Sequence, residues 1–153
     1  MNVFYEVLNN KAIVIPAVAW FTAQVLKSLI LSFKSHRIIV RRFFGSGGMP
    51  SSHAAFVVSL ATVTALQNGI DSNIFGITLA FAFIVMFDAA GVRRASGKQA
   101  AVINKLLHHE HITWDTPDGK PHLDMILKEL LGHTPLEVVA GAAWGLLLGL
   151  IWG

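Results

Sequence analysis

The sequence predicts an all-α integral membrane bundle with about four transmembrane helices and one or two short amphipathic helices at the interface. Three observations carry that prediction. Of 153 residues, 54% are hydrophobic and only 14% charged, where soluble domains carry roughly a quarter charged. The apolar residues fall into four runs: Ala12 to about Phe33, Ala54 to about Leu66, Ile74 to Phe87, and Leu136 to Trp152. The last run places Gly141, Gly145, Gly149 and Gly153 at intervals of four, the spacing that lets membrane helices approach closely. Residues 1–153 are expected to form a single membrane-embedded domain. The chain has no cysteine, which excludes disulfides, thiolate chemistry and cysteine-bound zinc. A formal charge of +3 without a basic stripe interleaved with aromatics gives no sign of nucleic-acid binding.

Residues 1–11 are short and mixed. The run from Ala12 to Phe33 is long enough to cross a bilayer, and it lacks the basic start and small-residue cleavage site of a signal peptide, so it reads as a retained span. Gln24 and Lys27 lie three apart within it and therefore share a helix face. Lys27 either snorkels toward the near end of the span or faces a polar site. Residues 34–50 are basic, with Lys34, Arg37, Arg41 and Arg42 and no acid.

Gly47-Gly48-Met49-Pro50-Ser51-Ser52-His53 reads as a loose loop closing onto a helix start. Ser51 or Ser52 can cap the helix. The N–H groups and positive dipole end of such a terminus suit an anion, and His53 can exchange a proton near neutral pH. The alternative is an ordinary capped helix with an interfacial histidine. The run from Ala54 to Leu66 approaches 30 Å only if the helix begins at Ser51. Gln67 to Asn73 is a polar turn with a stopping glycine and new caps. The run from Ile74 ends at Asp88. Both middle runs are short for a span, which implies tilt or local shielding.

Residues 88–134 form the long polar region, opened by Asp88-Ala89-Ala90-Gly91-Val92-Arg93-Arg94. Gln99 to Leu107 shows helical spacing through Val102, Ile103, Leu106 and Leu107. His108-His109-Glu110-His111 offers metal-ligand types, but adjacent residues seldom converge on one ion, and the stretch reads as polar loop, with no metal site predicted. Turn chemistry continues to His122, and Leu123 to Leu131 reads as a short amphipathic helix at the membrane surface. Gly132-His133-Thr134-Pro135 is a second glycine–histidine–proline junction leading into the last run. The glycine face there suits packing within the monomer, or else a homodimer seam through Gly141, Gly145 and Gly149. Trp144 and Trp152 suit either the interface or the interior.

Ten of the twelve Lys and Arg residues lie in segments 34–50 and 88–134. If each run crosses once, both segments share a side, which the positive-inside rule makes cytoplasmic, with both termini outside. A bacterial cytoplasmic membrane fits this pattern. The same topology gathers Lys27, His53, Asp88, Arg93, Arg94, His133 and Glu137 at one membrane face. Two histidines, fixed cations and a carboxylate suit phosphoryl transfer, with cations on the equatorial oxygens, one histidine attacking and the other protonating the leaving oxygen. Glu137 stands four residues from His133 and can fix its tautomer along a helix. Asp88 serves the chemistry or pairs with Arg93 or Arg94.

Pro50-Ser51-Ser52-His53 resembles the Pro-Ser-Gly-His motif of the type 2 phosphatidic acid phosphatases, whose superfamily includes vanadium-dependent haloperoxidases. His133-Thr134-Pro135-Leu136-Glu137-Val138-Val139-Ala140-Gly141 resembles the third motif, His-x-Pro-x-Asp-Val-x-Ala-Gly. Together with Asp88 to Arg94, Gln99-Ala100 and Gly132, these stretches resemble most closely the divergent acid phosphatase/haloperoxidase-related branch, over about residues 24–145. The resemblance implies metal-free hydrolysis of a phosphate ester through a phosphohistidine, without a cofactor. His133 would be the nucleophile, Glu137 its orienting carboxylate and His53 the general acid. Ser52, Ser51, Gly48, Lys27, Arg93 and Arg94 would hold phosphate, supported by Gln24 and Asp88, and vanadate or phosphate could occupy the site.

The sequence departs from the family pattern at several points. Lys27 is followed at the first motif's spacing by Lys34-Ser35 rather than Arg-Pro, and Leu127 stands where the third motif has arginine. Glu137 replaces aspartate. Four runs contrast with six spans in many membrane relatives. The substrate class implied is a lipid or isoprenoid phosphate presented at the bilayer surface. The alternative is a phospholipid-binding or assembly protein that keeps the pocket without turnover. A transporter is disfavoured, because the polar residues gather at one face.

Overall fold

Six helices account for nearly all of the backbone in the computed structural model, which describes residues 2–35, 48–109, 127 and 132–153. They are α1 (Val3–Asn9), α2 (Lys11–Ser35), α3 (Ser52–Asn68), α4 (Asn73–Ala90), α5 (Val92–His109) and α6 (Pro135–Trp152). No strand occurs among the described residues. Helices α2, α3, α4 and α6 coincide with the four apolar runs. The turn after α3 follows the sequence signals: Gly69, at φ 89°, closes α3 through its N–H to the Ala65 carbonyl, and the Ser72 hydroxyl caps α4 by accepting from Phe75 N–H.

Helix α3 is the centre of the bundle, packed on by α2, α4 and α6. Its buried side chains are small: Ser52, Ala54, Ala55, Ser59, Ala61 and Thr64 among them. Small residues let backbones approach until dispersion contacts accumulate, which drives helix association where lipid removes the hydrophobic incentive. Ala19 and Ala23 of α2, Ala55 of α3 and Leu148 of α6 make one such core, with Trp144 against it. Ala54, Ala89 and Val138 make a second, joining α3, α4 and α6. Three of the α3 hydroxyls are satisfied within the helix: Ser59, Thr62 and Thr64 donate to the carbonyls of Phe56, Val58 and Leu60. The large apolar side chains point outward, as Ile77, Phe83, Ile84 and Phe87 do on α4. Small inside and large outside is the arrangement for a lipid solvent.

The glycine face of α6 is filled by α3 within the monomer. A β-carbon on Gly141 would run into the Ser51 carbonyl oxygen, one on Gly145 into that of Ala55, and one on Gly149 would stand 2.7 Å from Thr62 Cβ. These contacts advance together along both chains, so α3 and α6 run parallel. Of the two uses expected for the Gly141, Gly145 and Gly149 face, packing within the monomer is the one seen here. At the far end Lys11 Nζ donates to the Gly153 carbonyl at 2.7 Å, bringing the start of α2 to the end of α6. Trp144 turns inward, its indole N–H donating to Thr22 Oγ1 at 3.0 Å.

Two further expectations are refined, and a third falls outside the described residues. Among the described residues three stretches are long and apolar enough to cross a membrane: Lys11–Phe33, Asn73–Leu106 and Pro135–Trp152. Helix α3, with 17 residues, spans about 25 Å and falls short by itself; its neighbours shield it, as the shortness of the run implied. The polar region opens as helix, since α4 runs through Asp88 to Ala90 and α5 starts at Val92, seven residues before the spacing becomes legible. The amphipathic helix expected over Leu123 to Leu131 lies outside the described residues except for Leu127. There the Asn104 side chain accepts from the backbone N–H and donates to the carbonyl, at 3.1 and 2.9 Å.

Candidate active site

The start of α3, the α4–α5 junction and the start of α6 meet at one end of the bundle. Ser51 is the N-cap of α3, its hydroxyl accepting from Ala54 N–H and its own N–H donating to the Glu137 carbonyl at 2.9 Å. Capping and the α3–α6 contact thus occupy Ser51, which is fully buried. His53 follows in the first turn, exposed at the mouth of a cleft.

His133 is delivered from the other side by docking of the chain onto the α4–α5 junction. Its N–H donates to the Ala89 carbonyl at 2.9 Å. Gly132 lies so close to the backbone of Arg93 and Arg94 that a β-carbon would collide with it, and its φ of 82° is one that side-chain-bearing residues rarely adopt. His133 is 5% exposed. It precedes α6 rather than lying on it, so the Glu137 contact is not the pairing along a helix that the spacing of four implied. Thr134 is the N-cap, and Thr134 and Glu137 form a capping box in which Glu137 N–H donates to Thr134 Oγ1. Glu137 Oε2 reaches back to accept from Thr134 N–H at 3.0 Å and lies 3.1 Å from His133 Nδ1. That reach is what a capping box requires of its third residue, and glutamate provides it.

Protonation at Nδ1, facing the carboxylate, leaves the Nε2 lone pair of a neutral imidazole for the cleft. Burial lowers the His133 pKa below the ordinary histidine value; the hydrogen bond and charge of Glu137 oppose this, while Lys27 and Arg93 add to it. The net direction keeps the ring neutral at pH 7, the form that can attack an electrophile.

His53, Val85, Asp88, Ala89, Arg93, Gly132 and His133 line the cleft. Arg93 Nε binds Asp88 Oδ2 at 2.6 Å, and both are substantially exposed. Asp88 is thus the partner of an arginine, one of its two anticipated uses. Arg94 is not among the cleft-lining residues, because the next residue on a helix points about 100° away. Lys27 does not snorkel: it is 2% exposed. Gly48, at φ 95°, lies against its stem, where a β-carbon would stand 3.2 Å from Lys27 Cγ and Cδ. The Lys27 charge acts on His53, His133 and Glu137 from behind the cleft lining. Gln24 is buried on the same α2 face, its Oε1 without a hydrogen-bond partner among the described residues. Ser52 is buried and does not line the cleft.

The structure therefore brings His53, His133, Glu137, Arg93 and Asp88 together with Lys27 behind them, and leaves Ser51, Ser52, Gly48 and Arg94 in supporting positions. Two contributors were not singled out from sequence. The Ala89 carbonyl that seats His133 leaves no sequence signal. Thr134 does, since Thr134-Pro135-Leu136-Glu137 has the capping-box spacing. Of the histidine-rich stretch, His108 and His109 close α5 and the next two residues lie outside the described ones. Among the described residues no three His, Asp or Glu side chains converge as a metal site.

Residues 8–148 match the divergent PAP2 family. The chain is also 42% identical over 151 residues to the uncharacterized membrane protein YuiD of Bacillus subtilis (strain 168), covering 95% of this chain and 96% of that one. No solved structure matches the chain.

Proposed function

The chain belongs to the divergent PAP2 family, and from that premise we propose that it is a membrane phosphatase hydrolysing a lipid or isoprenoid phosphate through a phosphohistidine. The observation that carries this reading is the pair His53 and His133 on one cleft, with His133 Nδ1 held by Glu137. His133 Nε2 attacks phosphorus as the bond to the leaving oxygen breaks, and protonated His53 supplies the proton that completes the alcohol. Water then attacks the phosphohistidine, His53 takes its proton, and phosphate leaves with Nε2 restored. Arg93 and the buried Lys27 offset the charge on the equatorial oxygens. The tail of an amphiphilic substrate remains in the bilayer while its head enters from the surface. Ser52, Ser51, Gly48 and Gln24 shape the wall behind these groups in this reading.

A second reading is phosphate-headgroup binding without turnover. The Asp88 carboxylate on Arg93 favours it, since an incoming anion must displace or share that ion pair. Phosphate release from phosphatidate, phosphatidylglycerophosphate and a polyprenyl diphosphate, measured with purified protein, separates the two. Release abolished in His133→Ala is the result expected. Release that survives His133→Ala refutes the mechanism, and binding without release from any substrate selects the second reading.

A further inference from the structure

Helix α5 carries Arg93, Arg94, Lys98 and Lys105 and no acidic residue. At about 100° per residue, most of its described side chains sort into three stripes. Gly97, Ala100 and Asn104 are buried and form the stripe turned to the protein, with Arg93 beside them at the cleft. Val92, Val102, Ile103 and Leu106 form a second stripe within an arc of about 100° that also takes in Gln99, and all five are exposed. Arg94, Lys98 and Lys105 form the third, within about 40° of one another, with both lysines exposed. The principal helix packed on α5 is α4, so the apolar stripe faces away from the bundle.

Length points to where the stripe lies. The candidate span Asn73–Leu106 has 34 residues, about 51 Å as helix, well beyond the roughly 30 Å hydrocarbon layer. Helix α4 holds its apolar part, and the chain breaks at Gly91, whose ψ is −86°. The excess, α5, emerges at the bilayer surface with an apolar stripe and a purely basic one. An amphipathic helix of this kind lies in the interface, and an anionic leaflet is the complement of its charge.

We propose that α5 is a lipid-binding surface whose apolar stripe enters the acyl boundary while Arg94, Lys98 and Lys105 take the headgroups of anionic phospholipids. Each basic residue close to an anionic surface is worth roughly fivefold in association, so three acting together select strongly for charge. The surface ends at Arg93, which places its lipids beside the cleft.

The test reads lipid contact rather than turnover, so its outcome is separate from that of the proposed hydrolysis. The chain has no cysteine, so Val102→Cys gives a unique labelling position on full-length protein in proteoliposomes. A fluorophore there is quenched by brominated phosphatidylglycerol or brominated phosphatidylcholine at equal mole fraction in otherwise identical vesicles. Quenching by the anionic lipid should correspond to an association at least about fivefold stronger, the contribution of a single basic residue. In Arg94→Gln/Lys98→Gln/Lys105→Gln that preference should fall to parity while quenching by brominated phosphatidylcholine persists. Equal quenching in the parent protein, an unchanged preference in the triple variant, or quenching by aqueous iodide in place of either lipid overturns the proposal. So does excimer emission from a pyrene label at the same position, which would put a second copy on the stripe.

Discussion

Replacing Glu137 by Gln, Asp and Ala should separate its structural part from its part in the candidate chemistry. One oxygen, Oε2, serves both Thr134 N–H and His133 Nδ1. In Glu137→Ala both lose their acceptor. Thr134 is exposed, so water replaces that bond and the loss is that of a cap, about 1 kcal/mol. His133 is 5% exposed, and a buried donor left unpaired costs about 1–3 kcal/mol, for a total of about 2–4 kcal/mol. Glu137→Gln keeps the reach and an acceptor oxygen but loses the charge assistance, about 1 kcal/mol. Glu137→Asp, one methylene shorter, should fall between them.

Denaturant titration of detergent-purified protein gives the stabilities, and imidazole NMR gives the His133 titration. Burial holds the folded His133 pKa below the ordinary 6.5, with Glu137 pulling it upward. The unfolded chain therefore takes up this proton first. The stability contribution is complete above about 6.5 and is lost as pH falls toward the folded value. Removing the carboxylate should lower that folded value further and carry the acid limb of phosphate release with it. Glu137→Ala with parental stability and an unchanged His133 titration would refute the reasoning.

Gly145→Ala should destabilise by about 2–3 kcal/mol or more, because its β-carbon meets the backbone carbonyl of Ala55; Gly149→Ala, whose β-carbon would stand 2.7 Å from Thr62 Cβ and so overlaps less, should cost less in the same titration. Gly132→Ala forces a β-carbon into the Arg93–Arg94 backbone, which should unseat His133 and abolish phosphate release while most of the helical circular dichroism remains. Arg93→Gln should raise KM for a lipid phosphate at least about tenfold, since charge-assisted contacts are worth about 1.5–3 kcal/mol. Arg94→Gln should change it less than threefold, as only Arg93 lines the cleft; equal effects would show that both reach the substrate.

The four apolar runs, the Gly69–Ser72 turn and the glycine spacing of α6 were legible because each is local: hydropathy, capping and backbone approach follow from residues near in sequence. The start of α5 was not. Val92 to Lys98 holds three cations and three small residues and shows no apolar period until α4 and α5 are seen together. Leu127 similarly gives no hint that Asn104, 23 residues before it, holds both its backbone groups. The family motifs placed His53, His133 and Glu137 at one site, but a motif carries no distances.

The sequence by itself determined that this is a helical membrane protein, with His53, His133 and Glu137 at or beside the starts of its helices. Composition and period alone decide how a chain meets lipid. Tertiary structure decided which polar groups reach the cleft. Arg93 and Arg94 are neighbours in sequence, and the docking of Gly132 and His133 on the α4–α5 junction puts the cleft on the side that carries Arg93. Ser51 and His53 are two residues apart, and α6 closing on α3 uses one as a cap while leaving the other at the cleft. Glu137 reaches His133 by folding back across a helix start, a geometry that a spacing of four does not specify. Each distinction depends on side-chain direction at contacts between distant segments, which local pattern does not encode.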